Sequence, residues 1–319
     1  MIGLVVRNTG SSYLVKTSDN ELVECRVKGN FRIKGIKSTN PVAVGDRVSF
    51  DVMADGTGWI TQIEDRKNYI VRRPTNLSKQ LHIIAANVDQ MLLVVTVNHP
   101  ETSTVFIDRV LATAEAYRVP VVLVINKIDL YTDDEIEYMK ALQNLYESIE
   151  YKVVCVSAKS GEGIDDVRSS LSGKTTLLSG NSGVGKSSLV NVLTATEIAK
   201  TGAISDVHNK GMHTTTFSEM FEVDTDSFLI DTPGIKGFGT IDFQREEVGH
   251  YFPEIFKFSA DCKFGNCTHI HEPGCAVRKA LEEHFISESR YNSYLSILED
   301  CDEGKYRKSC RSPLIIFVK

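Results

Sequence analysis

Tryptophan occurs once in these 319 residues and proline only eight times. No apolar run approaches the ~20 residues that a membrane-spanning helix needs. The opening stretch, Met1-Ile2-Gly3-Leu4-Val5-Val6-Arg7, lacks the basic entry and long apolar core of a signal peptide. These absences predict a cytoplasmic protein with no membrane partner. The cysteines number seven, an odd count that argues against a disulfide framework and leaves them as thiols or metal ligands. A basic excess is also missing: the net charge is −6, so the bulk numbers do not advertise a nucleic-acid binder. The charge is uneven, however, because residues 1–72 carry eleven Lys/Arg against eight Asp/Glu. With 42% hydrophobic and 24% charged residues, the chain reads as a globular protein of two or three domains.

Residues 1–72 read as all-β. Short alternating runs (Gly3–Val6, Ser12–Lys16, Leu22–Val27, Arg47–Val52, Trp59–Glu64) are separated by turn signals such as Asp55-Gly56-Thr57-Gly58. Five such strands predict a small closed barrel of the OB type. Lys28, Phe31, Arg32, Lys34 and Lys37 crowd one connection, a mixture that suits RNA contact and equally a solvated basic loop. Residues 72–80 read as a linker. Beyond them the pattern alternates. Buried strands are predicted at 90–97, 121–125, 152–156 and 175–179, with helices at 103–117, 133–149, 164–171 and 189–193. Strands at 217–223 and 227–230 follow a polar segment, 194–213, expected to be mobile. Repeated βα units imply a mostly parallel, doubly wound sheet with ligands at the strand C-termini. From about residue 249 the chain turns helical, with a helix expected over 282–299.

The chemistry begins at Gly180-Asn181-Ser182-Gly183-Val184-Gly185-Lys186-Ser187-Ser188. This is a complete G-x-x-x-x-G-K-[ST] phosphate loop between a strand and a helix. Its backbone N–H groups and the helix dipole favour phosphate. Lys186 reaches the β/γ-phosphates and Ser187 supplies a hydroxyl to Mg²⁺. Asn126-Lys127-Ile128-Asp129 follows the strand at 121–125. The Asp129 carboxylate can accept from N1–H and the exocyclic amine of guanine, a donor pair that adenine lacks. Asn126 braces that loop and the Lys127 stem covers the base. Ser157-Ala158-Lys159, after the next strand, offers a backbone N–H to the guanine O6. Asp231-Thr232-Pro233-Gly234 ends another strand: Asp231 suits Mg²⁺ through water, and the Gly234 N–H suits the γ-phosphate. In Gly211-Met212-His213-Thr214-Thr215-Thr216, Thr215 is preferred over Thr214 as the residue closing on Mg²⁺. Together these are the parts of a GTP switch. Isoleucine at 235 cannot orient water as the glutamine of Ras-like enzymes does, which makes His213 the candidate catalytic group beside Thr215. A further cluster, Cys262-x₄-Cys267-x-His269-x₅-Cys275, has the donor set of a closed structural Zn²⁺ site, with His271 as a rival fourth ligand.

The order of the motifs is rotated. A standard GTPase runs phosphate loop, threonine switch, D-x-x-G, N-K-x-D, S-A-K, whereas here N-K-x-D and S-A-K come first. This describes a circularly permuted core. Over nearly its whole length the chain resembles the circularly permuted GTPase RsgA (YjeQ) family, in the N-terminal barrel, Ile84–Gln90, Gly180–Ser188, Gly211–Thr216 and the Cys/His cluster. Met212 departs from the arginine usual there, and the apolar tail Leu314–Val318 matches no feature of the family. The resemblance implies a GTP hydrolase of small-ribosomal-subunit assembly. Its parts are an OB-fold RNA-binding barrel at 1–72, a permuted α/β P-loop core at 73–248 and a helical zinc-binding domain at 249–319. It also implies stimulation by the subunit, rRNA contact, His269 as the fourth zinc ligand and catalysis by His213. A monomer is expected. The alternative is a GTP switch acting on another RNA or protein partner.

Overall fold

A computed structural model describes residues 1–10, 12–27, 41–72, 82–194, 218–231 and 243–303. The basic stretch Lys28–Lys37, the polar segment 195–217 with His213 and Thr215, Gly234 and the tail Leu314–Val318 lie outside the described residues.

The N-terminal strands are β1 (Ile2–Asn8), β2 (Tyr13–Thr17), β3 (Leu22–Val27), β4 (Arg47–Val52) and β5 (Gly58–Ile63). They form as the alternation predicts, because one side chain in two must leave water. In β2, Tyr13, Val15 and Thr17 point inward. The neighbours run β1-β2-β3-β5-β4, and β4 pairs back onto β1. The result is a closed five-stranded, OB-like barrel filled by Val5, Tyr13, Val15, Cys25, Val48, Phe50 and Ile60. The expected linker, 72–80, lies almost wholly outside the described residues. Its flanks, β6 (Tyr69–Arg72) and β7 (His82–Ala86), pair as an antiparallel ribbon. Neither strand is assigned from the sequence.

The core sheet contains β8 (Gln90–Val95), β9 (Val121–Ile125), β10 (Lys152–Cys155), β11 (Thr175–Ser179), β12 (Glu219–Asp224) and β13 (Ser227–Asp231). Its order is β10-β9-β8-β11-β13-β12, parallel except for β12. All of β8 and β9 is buried, as an apolar run covered on both faces must be. Helices α1 (Thr104–Tyr117) and α2 (Asp133–Ser148) cover one face through Ile107, Leu111, Leu142 and Tyr146. Helices α3 (Ile164–Leu171) and α4 (Lys186–Leu193) cover the other through Ile164, Val167, Leu189 and Leu193. Helix α2 starts at a Thr132–Glu135 capping box. The sheet does not stop at β12. Arg7 of β1 pairs with Glu219, the Asn8 N–H donates to the Ser218 carbonyl at 3.4 Å, and Lys16 bonds Glu222. Barrel and core thus share one eleven-stranded sheet.

After 3₁₀ turns at Arg245–Tyr251 come α5 (Pro253–Ser259), α6 (Ala276–Glu282) and α7 (Glu288–Glu303). The helix expected over 282–299 begins only at Glu288, because α6 already ends at Glu282. Helix α6 ends where His284 turns left-handed (φ 63°), and the Phe285 and Ile286 N–H groups fold back onto the Ala280 carbonyl. Apolar positions on either side of this break imitate one continuous stripe. The C-terminal helices pack Phe252, Ile255, Val277, Tyr294 and Ile297 around Ala112 of α1.

Candidate nucleotide site and metal cluster

The strands place four motifs at one edge. Ile125, Cys155, Ser179 and Asp231 end β9, β10, β11 and β13, so the loops after β9, β10 and β11 meet at the C-terminal side of the sheet, where Asp231 also stands. The phosphate loop needs its glycines. Gly180 has φ 141°, and a Cβ there would lie 2.2 Å from the Val94 carbonyl oxygen. Gly185 has φ 96°, and a Cβ there would lie 2.3 Å from Asn126 Nδ2. The loop is a cradle that side chains would fill. Lys186 opens α4 and bends back over it, with Nζ donating to the carbonyls of Gly180 (2.8 Å) and Asn181 (2.6 Å). Burial lowers its pKa, while the nearby Asp231 carboxylate pulls the other way. A poorly solvated ammonium in a ring of backbone dipoles is prepared for phosphate oxygens. Ser187 stands next to it, half-buried in the first turn of α4.

Asn126 is 1% exposed and joins three loops. Its Nδ2 donates to the Val184 carbonyl at 2.8 Å, and its Oδ1 accepts from the Ala158 N–H at 3.1 Å. Lys127, in the left-handed region at φ 68°, donates to the Gly183 carbonyl at 2.7 Å and also to that of His99. Asp129 is exposed at the mouth. One of its oxygens accepts from the buried Ser157 hydroxyl at 2.6 Å, and Ser157 Oγ in turn accepts from the Lys159 and Ser160 N–H groups. Asn126, Lys127, Asp129, Ser157, Ala158 and the phosphate loop are thus knitted together before any ligand is considered. Two participants carry no motif: the His99 carbonyl and Tyr131, whose hydroxyl bonds Asn126.

The second cluster is Cys262, Cys267, His269 and Cys275, whose donor atoms all lie within 4.8 Å of one another. His269 Nδ1 is 3.6 Å from Cys262 Sγ and 3.5 Å from Cys275 Sγ, and the two sulfurs are 4.0 Å apart. Metal–ligand lengths of ~2.3 Å to sulfur and ~2.0 Å to nitrogen in a tetrahedron give separations of about 3.5 and 3.8 Å. The residues present therefore fit Zn²⁺. His269 is buried while His271 is exposed, which places the first in the cluster and the second outside it. The surroundings hold the ligands from behind. Tyr291 and Tyr294 hydroxyls donate to the carbonyls of His269 (2.6 Å) and Thr268 (2.8 Å). The Glu272 carboxylate accepts from the Thr268, Ile270 and His271 N–H groups. Burial pushes that carboxyl up, but the Thr268 hydroxyl and these amides outweigh it and bring it down to about 2. Cys275 also caps α6, accepting from the Arg278 N–H at 3.4 Å.

Known proteins match this arrangement throughout. The profile of the RsgA GTPase matches residues 63–241, and that of the RsgA N-terminal domain residues 2–60. A Bacteroides thetaiotaomicron protein named small ribosomal subunit biogenesis GTPase RsgA 2 is 67% identical over 96% of this chain and 99% of its own. A Porphyromonas gingivalis protein named small ribosomal subunit biogenesis GTPase RsgA is 57% identical over 96% of this chain and 99% of its own. Among solved structures, YjeQ from Thermotoga maritima superposes with a TM-score of 0.75 at 35% identity, covering 94% of this chain and 98% of that one. YloQ, described as a circularly permuted GTPase, gives 0.73 at 29% identity, covering 97% and 96%. With the rotated order of the Asn126–Asp129, Ser157–Lys159 and Gly180–Ser188 motifs at one end of the sheet, these matches establish that the chain belongs to the RsgA family of circularly permuted, GTP-hydrolysing enzymes.

Proposed function

We propose that this GTPase assists assembly of the small ribosomal subunit, that the subunit stimulates its hydrolysis, and that barrel and zinc-binding parts grip rRNA. The division follows residues 1–72, 73–248 and 249–319. The observation that carries the reading is coverage: relatives named for this role align along 96% of the chain and 99% of themselves, so all three parts are shared. Asp129 reads the guanine edge, Asn126 and Lys127 frame it, and Ser157, Ala158 and Lys159 close over O6. Gly180, Asn181, Ser182, Gly183, Val184, Gly185, Lys186, Ser187 and Ser188 cradle the phosphates. Ser187, Thr215 and, through water, Asp231 are the residues that would hold Mg²⁺. When bound, Mg²⁺ neutralises charge on the β- and γ-phosphates. The Gly234 N–H would meet the γ-phosphate, and His213 would orient the attacking water. Cys262, Cys267, His269 and Cys275 hold one structural Zn²⁺. The reading is of a cytoplasmic monomer, and no described helix is long and apolar enough to cross a membrane.

The test is GTP hydrolysis with and without purified small subunits. Partner-completed GTPase sites gain roughly 10³–10⁵ in rate, and a rise of that kind is expected. His213→Ala should abolish most of it while leaving GTP affinity nearly intact. Equal rates with and without subunits would favour a GTP switch serving another partner. Base recognition has its own check: Asp129→Asn should move preference from guanine toward xanthine nucleotides by about a hundredfold or more. Unchanged preference in a competition assay would remove Asp129 from the base site.

A further inference from the structure

The parallel ladder between β8 and β9 is interrupted where it opens into the crevice. A residue in such a ladder gives its N–H to one carbonyl of the neighbouring strand and receives, on its own carbonyl, the N–H two residues further along. Asn126 makes the first of these bonds, donating to the Val95 carbonyl at 2.9 Å. The second would run from the Val97 N–H to the Asn126 carbonyl. A side chain stands in its place. The Val97 N–H donates to Tyr131 Oη at 2.9 Å, and that hydroxyl donates to the Asn126 carbonyl at 2.5 Å. The Tyr131 ring is packed in the core beneath the sheet, and the residue is 8% exposed. Its backbone follows the 3₁₀ turn Ile128–Leu130 that carries Asp129. One hydroxyl therefore holds the two strand ends apart by its own width and ties the far end of the guanine loop back to its first residue.

We propose that Tyr131 is a positioning residue for guanine recognition, its hydroxyl acting as a spacer in the β8–β9 ladder that sets where Asn126 and Asp129 stand. The proposal rests on the reading of Asn126–Asp129 as the base site. Asn126 transmits any displacement, because its side chain is tied to both the Val184 carbonyl and the Ala158 N–H, and Gly185 leaves no slack against its amide. Without the hydroxyl, two outcomes are open to the backbone. The strands zip together through a direct bond and draw Asn126 inward, or the Val97 N–H and Asn126 carbonyl remain unpaired. Both loosen the loop that carries Asp129, and either reaches the phosphate loop only through the Asn126 side chain and its bond to the Val184 carbonyl.

The experiment is Tyr131→Phe in the full-length protein, assayed for GTP hydrolysis and for binding of GDP and IDP. Inosine lacks the exocyclic amine, so the ratio of GDP to IDP affinity reports how well Asp129 is placed. The expected result is a KM for GTP raised about tenfold, kcat within about twofold, and a GDP-over-IDP preference reduced by a similar factor. A purely structural loss would weaken GDP and IDP alike, and that result overturns the proposal, as does wild-type affinity with wild-type preference. Asp129→Asn separates the two readings. If it shifts base preference while Tyr131→Phe does not, the spacer alone is wrong; if it shifts nothing, the base-site assignment is wrong. In the wild-type chain the Val97 amide is expected to exchange slowly with solvent, and more slowly still with GDP bound. Exchange at the rate of an exposed amide would overturn the spacer even if Tyr131→Phe did not fold.

Discussion

Removing Zn²⁺ with a selective chelator is expected to unfold the region 262–303 while the parallel sheet stays folded. The energetic case is lopsided. Structural Zn²⁺ contributes about 10–16 kcal/mol of apparent binding free energy in small zinc modules, against about 5–15 kcal/mol for the stability of a whole domain. The stretch from Cys262 to Cys275 has little apolar material of its own: Phe264 is exposed, and Ile270 is partly buried. Its order depends on four donors converging within 4.8 Å, and three of those are sulfurs. Loss of the metal also disturbs the Cys275 cap of α6 and frees the carbonyls held by Tyr291 and Tyr294. The sheet has separate cores on its two faces and needs none of these contacts. Segment-resolved amide exchange should rise over 262–303 and along α1, whose Ala112 belongs to the zinc-side core, and stay low in β8 and β9. Zinc content far below one per chain in active protein, or unchanged exchange after chelation, would refute the assignment.

Arg290→Met should destabilise the protein by about 3–5 kcal/mol, the usual cost of stranding a buried charge. Arg290 is 1% exposed. Its Nη1 reaches Asp108 on α1 at 2.7 Å, and its Nε and Nη2 reach Glu254 on α5 at 2.7 and 3.1 Å. Its guanidinium lies 4.6 Å from the centre of the Phe252 ring. Burial opposes the charge, but Asp108 and Glu254 outweigh it and raise the arginine pKa. The same Asp108 oxygen accepts from the Tyr146 hydroxyl of α2 at 2.8 Å, and the other oxygen, Oδ2, has no hydrogen-bond partner among the described residues. Methionine would fill much of the space yet leave two carboxylates facing each other away from water. The control is the combination of Arg290→Met with Asp108→Asn and Glu254→Gln, which removes every charge and should recover most of the loss. A single variant within about 0.5 kcal/mol of wild type in denaturant titration, the range of inert surface changes, would show that the triad carries no stability.

Both features differ sharply in how well the sequence displays them. Cys262, Cys267, His269 and Cys275 sit within fourteen residues and share one chemistry, so their convergence was readable. The triad joins residues 108, 254 and 290, which look like three ordinary surface charges on three helices. Strands β8 and β9 were legible because burial on both faces forbids polar residues. The ribbon of β6 and β7 was not assigned, and the break before α7 was hidden by apolar residues on both sides of it. The loops at 180–188 and 126–129 announced themselves through glycine spacing and a carboxylate after a strand. Tyr131 did not, since a tyrosine five residues beyond Asn126 has no periodic or chemical signature until its hydroxyl is seen between two backbones.

The division of the sheet bears on how the enzyme is made. Strands β8 to β10 are contiguous in the chain and occupy one half of the core sheet, and β11 to β13 occupy the other, meeting at the β8–β11 pair. Chains emerge N-terminus first and tend to fold in that order. The half that carries Asn126–Asp129 can therefore assemble with its helices before residues 180–188 have been synthesised. The second half then docks along a single seam and carries β12 to its place against β1, more than two hundred residues upstream. A nascent chain halted before residue 180 would possess the Asn126–Asp129 and Ser157–Lys159 loops without Gly180–Ser188, so if these bind base and phosphate as proposed, GTP is a ligand of the assembled sheet and does not help the first half to fold.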